Sequence, residues 1–345
     1  MRILLATTHS YLPDIVHGST KSIHELCVQL NQRGISAGVL CGGFSGNDNK
    51  KVMVQRRDYG GYPVYRANFV VRAVNWVIKD FQPDLVVVQV GAIFPLTNAI
   101  LQAGIPVMVY FRDIEFRDHH GMFMPHERIC YVANTRFTAD RFKALLGLDC
   151  KILPPPLKRE DYETDTTREQ VLFIGSHPFK GIELAIRMAE ECQHIPFMFV
   201  ESWEVPEVWK QYYKSRVLKN KNSTWSAPVH NMLDIYSRAS VLLVPSVWEE
   251  TNGRVVTEAQ LSGIPVLASD RGGLPDTVGP GGHVLPVHSP LETWITTLER
   301  MLNDKEEYEK LSENAKKHAW RPELDPSSIM DKFIEITGEF LSALK

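Results

Sequence analysis

The sequence predicts an α/β protein with two Rossmann-like domains, each built on a parallel sheet. Its 345 residues are more than one hydrophobic core usually supports, so two domains are expected. In both halves, short apolar segments alternate with helical patterns, which is typical of β-α-β units and therefore of parallel strands. Three consecutive prolines at 154–156 and a charged segment at 158–170 separate the two halves.

The composition predicts a soluble globular protein, since 44% of the residues are hydrophobic and 23% are charged. The formal net charge of −3 argues against a nucleic-acid binder that neutralises phosphates. The five cysteines are scattered and form no Cys-x-x-Cys pair, so neither a disulfide framework nor a zinc site is expected. Reduced thiols fit a cytoplasmic protein, and the first apolar segment is too short for a signal peptide.

The first half begins with a strand at 2–7, a loop to Gly18, a helix at 19–33 and a strand at 36–41, which is a parallel β-α-β unit. A turn-rich segment around residues 60–61 comes next. Beyond it the same alternation predicts a helix near 67–81, strands at 85–88 and 105–111, and a strand, loop and helix over 129–140.

Residues 85–111 carry no Asp, Glu, Lys or Arg and are long enough to cross a bilayer. Pro95, Gly104 and Pro106 interrupt the segment, and its two β-branched runs are typical of buried parallel strands. We therefore expect a strand, a helix and a strand here rather than a transmembrane helix.

The second half opens with another unit of the same kind: an apolar strand at 171–174, a glycine turn, Lys180-Gly181 and a helix. An apolar run at 240–244 leads into a loop and then a helix, and 263–268 is a further buried strand. From Pro290 onward the pattern is helical, and the last helix covers 329–344.

Two acidic residues, Glu250 and Glu258, follow the strand at 240–244 and are eight positions apart. Gly253 lies where the loop becomes a helix, so both carboxylates can face one cleft. Carboxylates suit sugar hydroxyls, whereas a helix N-terminus suits an anion. The pattern therefore indicates a ligand with hydroxyls at two ends and phosphate between them, with backbone donors from Asn252, Gly253, Arg254 and Val255.

These residues carry a resemblance to a known family. A Pro-Ser pair precedes Glu-x7-Glu, a glycine follows the first Glu by three residues, and Gly-Ile-Pro-Val at 263–266 and Gly-Gly-Leu-Pro-Asp at 272–276 follow. The sequence closely resembles the retaining GT-B glycosyltransferases of family 4, the glycosyl transferases group 1. The resemblance implies two Rossmann-like domains facing across a cleft: an acceptor-side domain at 1–160, onto which a helix at about 325–345 packs back, and a donor domain at 165–324.

On the donor side, the resemblance implies that Glu250 binds hydroxyls of the transferred sugar and that Glu258 binds the ribose. Lys180 matches a cation that holds the diphosphate, and Ser176 stands where the family usually has an Arg. Diphosphate binding would then depend on Lys180, on helix N-termini and on Arg254. The base would lie near 225–230.

On the acceptor side, Gly18 remains from a Gly-Gly pair that the family places beside the transferred sugar. Arg112-Asp113 stands where many members have His-Asp, with the His near the anomeric carbon. We therefore expect Glu250, Arg112 and Lys180 to take part in catalysis, and Asp113 to lie on the acceptor side. The alternative for Arg112 is a surface charge that pairs with Asp113 or Glu115.

Three further polar residues are candidates for the acceptor side. His119 and His120 could substitute for the missing histidine, although adjacent histidines in a polar loop are more often solvated. Asn134 precedes a helix that Thr135 or Thr138 can cap, and capping alone would explain it.

The segment 203–221 mixes tryptophan and tyrosine with five Lys and Arg residues. It could touch an anionic membrane surface. The alternative, which we favour from the sequence, is a solvated helix with one buried aromatic face.

The resemblance implies an enzyme that moves a hexose with retention from a nucleotide sugar, UDP- or GDP-linked, to a hydroxyl of a glycan, a lipid-linked sugar or a small molecule. The donor's own phosphate would take the acceptor proton, and without a strict Asp-x-Asp no metal is expected. A nicotinamide oxidoreductase is disfavoured because no Gly-x-Gly-x-x-Gly follows a strand. An inactive nucleotide-sugar-binding homologue and a GT-B epimerase remain as alternatives.

Overall fold

The computed structural model describes residues 1–15, 18–43, 53–121, 125–202, 205–229 and 231–345. These residues divide into two units. Unit 1 comprises Met1–Leu157 and Glu323–Lys345, and unit 2 comprises Lys158–Pro322. Each unit has its own sheet flanked by helices, so each can be described separately.

Unit 1 is built on an eight-stranded sheet in the order β3-β4-β2-β1-β5-β6-β7-β8. Apart from the antiparallel β3–β4 pair, neighbouring strands are parallel. The strands are β1 (Arg2–Ala6), β2 (Ser36–Cys41), β3 (Val54–Tyr59), β4 (Tyr62–Ala67), β5 (Leu85–Val88), β6 (Val107–Phe111), β7 (Ile129–Ala133) and β8 (Lys151–Ile152). The helices between them are α1 (Gly18–Gln32), α2 (Val70–Phe81), α3 (Ile93–Gln102) and α4 (Arg136–Leu146).

Apolar side chains cover both faces of this sheet. Along β1, Ile3 and Leu5 point into one core, whereas Leu4 and Ala6 point into the other. Alternate residues of a strand point to opposite faces, so a strand that is buried on both faces must be apolar throughout. This explains why the strands appear in the sequence as continuous apolar runs.

The β3–β4 hairpin was not predicted, because the sequence shows only a turn-rich segment there. Gly60 and Gly61 form the two-residue turn with φ values of 61° and 87°, a conformation that favours glycine. Most side chains of β3 are at least partly exposed, which left its apolar pattern weak. Through β4, the hairpin extends the parallel sheet beyond β2.

Residues 85–111 form β5, α3 and β6, as predicted, and every residue of both strands is buried. Across the described ranges, no helix combines the length and apolar character needed to cross a bilayer.

Unit 2 has a six-stranded, fully parallel sheet in the order β11-β10-β9-β12-β13-β14. Its strands are β9 (Gln170–Ile174), β10 (Phe197–Val200), β11 (Ser223–Ser226), β12 (Ala239–Val244), β13 (Val266–Ser269) and β14 (Gly282–Leu285). Its helices are α5 (Ile182–Glu191), α6 (Glu207–Lys219), α7 (Leu233–Tyr236), α8 (Arg254–Leu261), α9 (Leu274–Val278), α10 (Leu291–Asn303) and α11 (Lys305–Ala319).

The last helix, α12 (Pro326–Ala343), belongs to unit 1. Asp325 caps it by accepting a hydrogen bond from the Ser328 N–H at 3.0 Å. Its buried side chains join the core that also holds Ile23 and Leu26 of α1: Ile329, Met330, Phe333 and Ile336. Unit 1 is therefore assembled from two separate stretches of chain.

Candidate functional site

The strand order of unit 2 reverses between β9 and β12, which are neighbours although two strands separate them in the sequence. In open parallel sheets, ligands bind outside the carboxyl ends of the strands at such a reversal. The loop after β9 carries Lys180, and the loop after β12 carries Glu250. The topology therefore places both sequence-predicted residues at the preferred ligand position of this sheet.

Lys180 and Glu250 form an ion pair at this position. The Lys180 Nζ donates to Glu250 Oε1 at 2.5 Å, and Ser246 Oγ donates to the same oxygen at 2.9 Å. Both charged side chains are largely shielded from solvent, with 16% and 12% of their surface exposed. The sequence analysis gave these two residues separate ligands, phosphate and sugar. In the structure the cation also orients the carboxylate.

Glycines allow the loops to approach one another closely. Gly181 has a φ of 81°, and a Cβ there would lie 2.0 Å from the carbonyl oxygen of Pro245. Gly272 has a φ of 65°, and a Cβ there would lie 2.3 Å from the Glu250 carbonyl oxygen. A larger residue at Gly181 would separate the loops that carry Lys180 and Glu250, and one at Gly272 would separate the Glu250 loop from the loop after β13.

Glu258 lies on α8 in a buried network of four side chains. The Arg254 Nε donates to Glu258 Oε1 at 2.6 Å, and the Tyr236 hydroxyl donates to Oε2 at 3.0 Å. Arg254 Nη2 donates to the hydroxyl of Tyr162 at 2.9 Å. Tyr162, Tyr236 and Glu258 are all buried. The network therefore fixes the orientation of the Glu258 carboxylate and the position of the Arg254 guanidinium beside it.

The sequence analysis did not identify Tyr162 and Tyr236. The Arg254–Glu258 pair has a readable signal, since residues four apart on a helix are neighbours. Tyr162 lies 92 positions from Arg254, and Tyr236 lies 22 positions from Glu258. Contacts at such separations arise from the tertiary fold, so no local pattern could have predicted them.

The protonation states in this network follow from its burial and charges. Burial and the nearby Glu258 carboxylate raise the pKa of Tyr162 to about 12, despite the opposing effect of Arg254. Burial and Glu258 also raise the pKa of Tyr236 well above its ordinary value. Burial alone would lower the pKa of Arg254, but Glu258 and Tyr162 together raise it. The phenols are therefore neutral and the guanidinium is charged at neutral pH.

The start of α8 supplies the backbone donors predicted for an anion. Gly253 precedes the helix with a φ of 56°, and no side chain caps this end. The first-turn N–H groups of a helix have no acceptor within it, and the helix dipole favours a negative charge there. Asn252 is held by its carbonyl, which accepts from Thr277 Oγ1 at 2.8 Å. Arg254 and Val255 are the first two helical residues.

Ser176 has a structural role, and its contact with the diphosphate stays a prediction. It is 2% exposed, and its Oγ donates to the Ser202 carbonyl at 2.9 Å. The Ser202 N–H donates back to the same Oγ at 3.3 Å. The hydroxyl therefore ties the loop after β9 to the loop after β10.

In unit 1, Arg112 lies against the start of α1, next to Gly18. Gly18 is the first residue of α1, and Arg112 Nη1 donates to the carbonyl of the next residue, Ser19, at 3.4 Å. The guanidinium also lies over the ring of Tyr110, 4.5 Å from its centroid. A positive charge is thus held at the first turn of α1.

The expectation that His119 is solvated is wrong. Its side chain is fully buried, and its Nε2 lies 2.7 Å from Asp113 Oδ1. Four phenylalanine rings surround the imidazole: Phe94, Phe111, Phe116 and Phe142. An acceptor cannot reach this ring, so His119 can act only by orienting Asp113, which remains 26% exposed. His120 is exposed.

Asn134 also has a structural role, and its place on the acceptor side stays a prediction. It is 4% exposed, its Nδ2 donates to the Arg112 carbonyl at 3.3 Å, and its Oδ1 accepts from Thr138 Oγ1 at 2.7 Å. Thr135 is the residue that caps α4. Asn134 therefore joins the end of β6 to the start of α4 and holds the backbone of Arg112 in place.

Within the described ranges, no group of three His, Cys, Asp or Glu side chains is arranged to hold a metal ion. His17, Trp203 and His230, which belong to segments considered in the sequence analysis, lie outside the described residues.

Residues 156–318 match the family model described as glycosyl transferases group 1. Two relatives named D-inositol 3-phosphate glycosyltransferase are similar over shorter stretches. The relative from Corynebacterium kroppenstedtii is 36% identical over 96 residues, which is 27% of this chain and 21% of the relative. The one from Corynebacterium efficiens is 36% identical over 163 residues, 43% of this chain and 38% of the relative. The chain therefore spans only a fifth to two fifths of the length of these relatives.

Solved structures are similar along nearly the whole chain. A sucrose-phosphate synthase from Thermosynechococcus elongatus has a TM-score of 0.78 at 14% identity, covering 99% of both chains. Anabaena HepE in complex with UDP-glucose has a TM-score of 0.79 at 16% identity, covering 98% of this chain and 100% of HepE. At such low identity the likeness concerns the fold. Two parallel-sheet, Rossmann-like domains are the fold of GT-B glycosyltransferase structures, as the sequence predicted.

Proposed function

We propose that this protein is a retaining glycosyltransferase that transfers a hexose from a nucleoside-diphosphate sugar to an acceptor hydroxyl without a metal ion. The observation that carries the proposal is the pair of oriented carboxylates, Glu250 and Glu258, at the strand-order reversal of unit 2. The match of residues 156–318 to glycosyl transferases group 1 supports it. The fold shared with HepE, whose structure contains UDP-glucose, supports a nucleotide sugar as the donor.

We assign the ribose to Glu258. A carboxylate has about four acceptor positions, and Arg254 and Tyr236 occupy one on each oxygen. Each oxygen can therefore accept a further hydrogen bond, which suits two neighbouring ribose hydroxyls. Because the network fixes the carboxylate before the ligand arrives, little conformational entropy is lost on binding.

We assign hydroxyls of the transferred sugar to Glu250. Its hydrogen bonds to described side chains, from Lys180 and Ser246, both converge on Oε1. Oε2 is then available to a sugar hydroxyl. Lys180 holds the carboxylate in place through a charge-assisted hydrogen bond.

We assign the diphosphate to Lys180 and to the first turn of α8. The departing nucleoside diphosphate gains negative charge in the transition state, and fixed positive groups aimed at that charge lower the barrier. Lys180 would contact a phosphate oxygen while it remains beside Glu250. The acceptor hydroxyl would attack the anomeric carbon on the face that the diphosphate leaves, so no protein nucleophile is required. As the bond from that carbon to the diphosphate breaks, the departing phosphate takes the proton of the hydroxyl, so no protein base is required either. Arg112, which cannot act as a base, would contribute a fixed positive charge.

A panel of UDP-, GDP-, ADP- and dTDP-sugars tests the proposal directly. One donor should raise the melting temperature, be hydrolysed slowly without an acceptor, and give an α- or β-linked product of the same anomeric configuration as the donor by NMR. The acceptor panel should include glycans and lipid-linked sugars. It should also include inositol phosphate, because the names of the two relatives contain it. A product of inverted configuration would contradict retention.

An inactive nucleotide-sugar-binding protein is the second candidate. Two observations favour it: Lys180 is paired with Glu250, and the Ser176 hydroxyl is bonded to Ser202. Both side chains were expected to contact the diphosphate, and both already have a partner within the protein. Saturable binding of a nucleotide sugar with neither hydrolysis nor transfer would support this candidate and overturn the proposed enzyme.

A further inference from the structure

Helix α6 exposes an unusual number of apolar and aromatic side chains. Of its 13 residues only Val217 is buried, and Tyr213 is the one aromatic residue of the helix that packs against the core of unit 2, so the buried aromatic face that we favoured from the sequence is reduced to that ring. Val208 is 71% exposed and Trp209 is 45% exposed. The loops after β9 and β12 add the exposed side chains of Phe179 and Val247 and the half-buried ring of Trp248. We call the whole set the aromatic ridge: Val208, Trp209, Tyr212, Phe179, Val247 and Trp248.

The ridge is one continuous surface rather than scattered residues. Trp248 stacks on Phe179 with ring centroids 5.3 Å apart. The ring centroid of His177 lies 4.9 Å from that of Phe179 and 6.3 Å from that of Trp209. His177 therefore connects the loop after β9 to α6. A contiguous exposed apolar surface on a folded unit is typical of an interaction site.

Positive charge accompanies the ridge along α6. Lys210 and Arg216 are paired with carboxylates of neighbouring elements. Lys214, Lys219 and Lys221 have no ion-pair partner among the described residues. Glu207 is the only acidic residue of the helix. The surface thus combines aromatic side chains with uncompensated lysines.

We propose that the aromatic ridge, together with Lys214 and Lys219 of α6 and Lys221 just beyond its end, binds an anionic lipid surface. Trp and Tyr side chains favour the boundary between headgroups and acyl chains, because one part of each ring system is apolar and another forms hydrogen bonds. Lysines close to that boundary are attracted to anionic headgroups. Charge complementarity therefore favours a membrane over an uncharged apolar partner.

The ridge borders the candidate donor site. Phe179 directly precedes Lys180, and its carbonyl accepts hydrogen bonds from the N–H groups of Val247 and Trp248 at 2.9 and 3.1 Å. A membrane in contact with the ridge would lie beside the loops that hold Lys180 and Glu250. If the proposed transfer reaction is also right, on which this last step rests, the acceptor hydroxyl would belong to a lipid-linked molecule.

Vesicle co-sedimentation of the full chain tests the lipid proposal without any substrate. The wild type should bind vesicles of phosphatidylcholine with 30–50% phosphatidylglycerol, and should bind pure phosphatidylcholine at least about tenfold more weakly. The triple variant Val208→Ser/Trp209→Ser/Tyr212→Ser should lose at least tenfold in affinity for the anionic vesicles. Trp76→Ser, which removes a half-exposed tryptophan from α2 in unit 1, is the matched control and should bind normally.

The charge contribution needs its own pair of variants. Lys214→Gln/Lys219→Gln/Lys221→Gln should weaken binding at low salt, whereas Lys305→Gln/Lys310→Gln/Lys317→Gln, which removes three exposed lysines from α11, should not. Unchanged melting temperatures and nucleotide affinities would establish that the variants are folded. Wild-type binding equal to that of the ridge variant would overturn the proposal. The proposal would also be overturned if the wild type self-associates and the triple variant Val208→Ser/Trp209→Ser/Tyr212→Ser loses this self-association but still binds lipid normally. Lack of transferase activity would leave the lipid measurement valid.

Discussion

The hydroxyl of Tyr162 accepts a hydrogen bond from Arg254 Nη2 at 2.9 Å, although 92 positions separate the two residues. Tyr162 lies near the start of unit 2, which begins at Lys158. Arg254 in turn binds Glu258 through its Nε. The orientation of the proposed ribose-binding carboxylate therefore depends on a residue far from it in the sequence.

The first prediction is that Tyr162→Phe weakens nucleoside-diphosphate binding by roughly three- to tenfold. The loss of a hydrogen bond to a charged group costs about 1.5–3 kcal/mol, and part of this cost should appear in the ligand affinity through Glu258. Isothermal titration calorimetry would measure it. Tyr308→Phe is the matched control, because it removes another buried hydroxyl of unit 2, which donates to the Ser240 carbonyl. Equal affinity losses in both variants would show a general effect on stability.

The second prediction concerns Glu258. Glu258→Gln should weaken binding of both the nucleoside and the nucleoside diphosphate by at least about tenfold, because both contain the ribose. The variant also leaves the partly buried Arg254 without its carboxylate, so the free energy of unfolding should fall by about 1–3 kcal/mol. Calorimetry and denaturant titration would measure the two effects. Unchanged nucleoside affinity would refute the ribose assignment.

The third prediction is that Lys180→Ala weakens the nucleoside diphosphate much more than the nucleoside. The substitution removes the cation next to the proposed diphosphate position and leaves the ribose contacts intact. Comparing the two ligands in Lys180→Ala and in Glu258→Gln gives a crossed test. If Lys180→Ala lowers the affinity for the nucleoside and for the nucleoside diphosphate equally, the lysine serves only to position Glu250.

The fourth prediction separates binding from turnover at Glu250. Glu250→Gln should preserve the affinity for the free nucleoside diphosphate, which lacks the transferred sugar, and should decrease kcat. The Lys180 ammonium would lose its carboxylate partner but keep its charge for the phosphate. Steady-state kinetics and calorimetry on the same preparation would test this. A parallel loss of nucleoside-diphosphate affinity would remove Glu250 from the sugar site.

The fifth prediction concerns Arg112. Arg112→Ala should lower kcat more than about tenfold, equivalent to roughly 1.4 kcal/mol of transition-state stabilisation. Arg112→His should lose activity as the pH rises through about 6.5, because the imidazole then loses the positive charge that the guanidinium keeps, and the wild type should lack this loss. The pH–rate profiles of the two proteins would show it. A near-normal rate for Arg112→Ala would place this strand end outside the chemistry.

Much of the fold follows from the sequence because buried parallel strands are apolar throughout and helices end at glycines. The strands that precede the Lys180 and Glu250 loops, β9 and β12, were predicted for this reason, and the exposed strand β3 was missed. For the site, an i,i+4 pair such as Arg254–Glu258 is visible locally. The burial of His119 is not visible, because the phenylalanines around it come from distant segments: α3, the end of β6 and α4.

The return of α12 to unit 1 has a consequence for synthesis on the ribosome. Unit 2 is one uninterrupted stretch, so it can fold as soon as it has emerged. Unit 1 begins earlier but lacks Ile329, Met330, Phe333 and Ile336 until all of unit 2 has been translated. During that interval the part of this core that α12 covers, which includes side chains of α1, is exposed. The part of the protein that is made first is therefore the part that is completed last, and a nascent chain arrested in unit 2 would present α1 to chaperones.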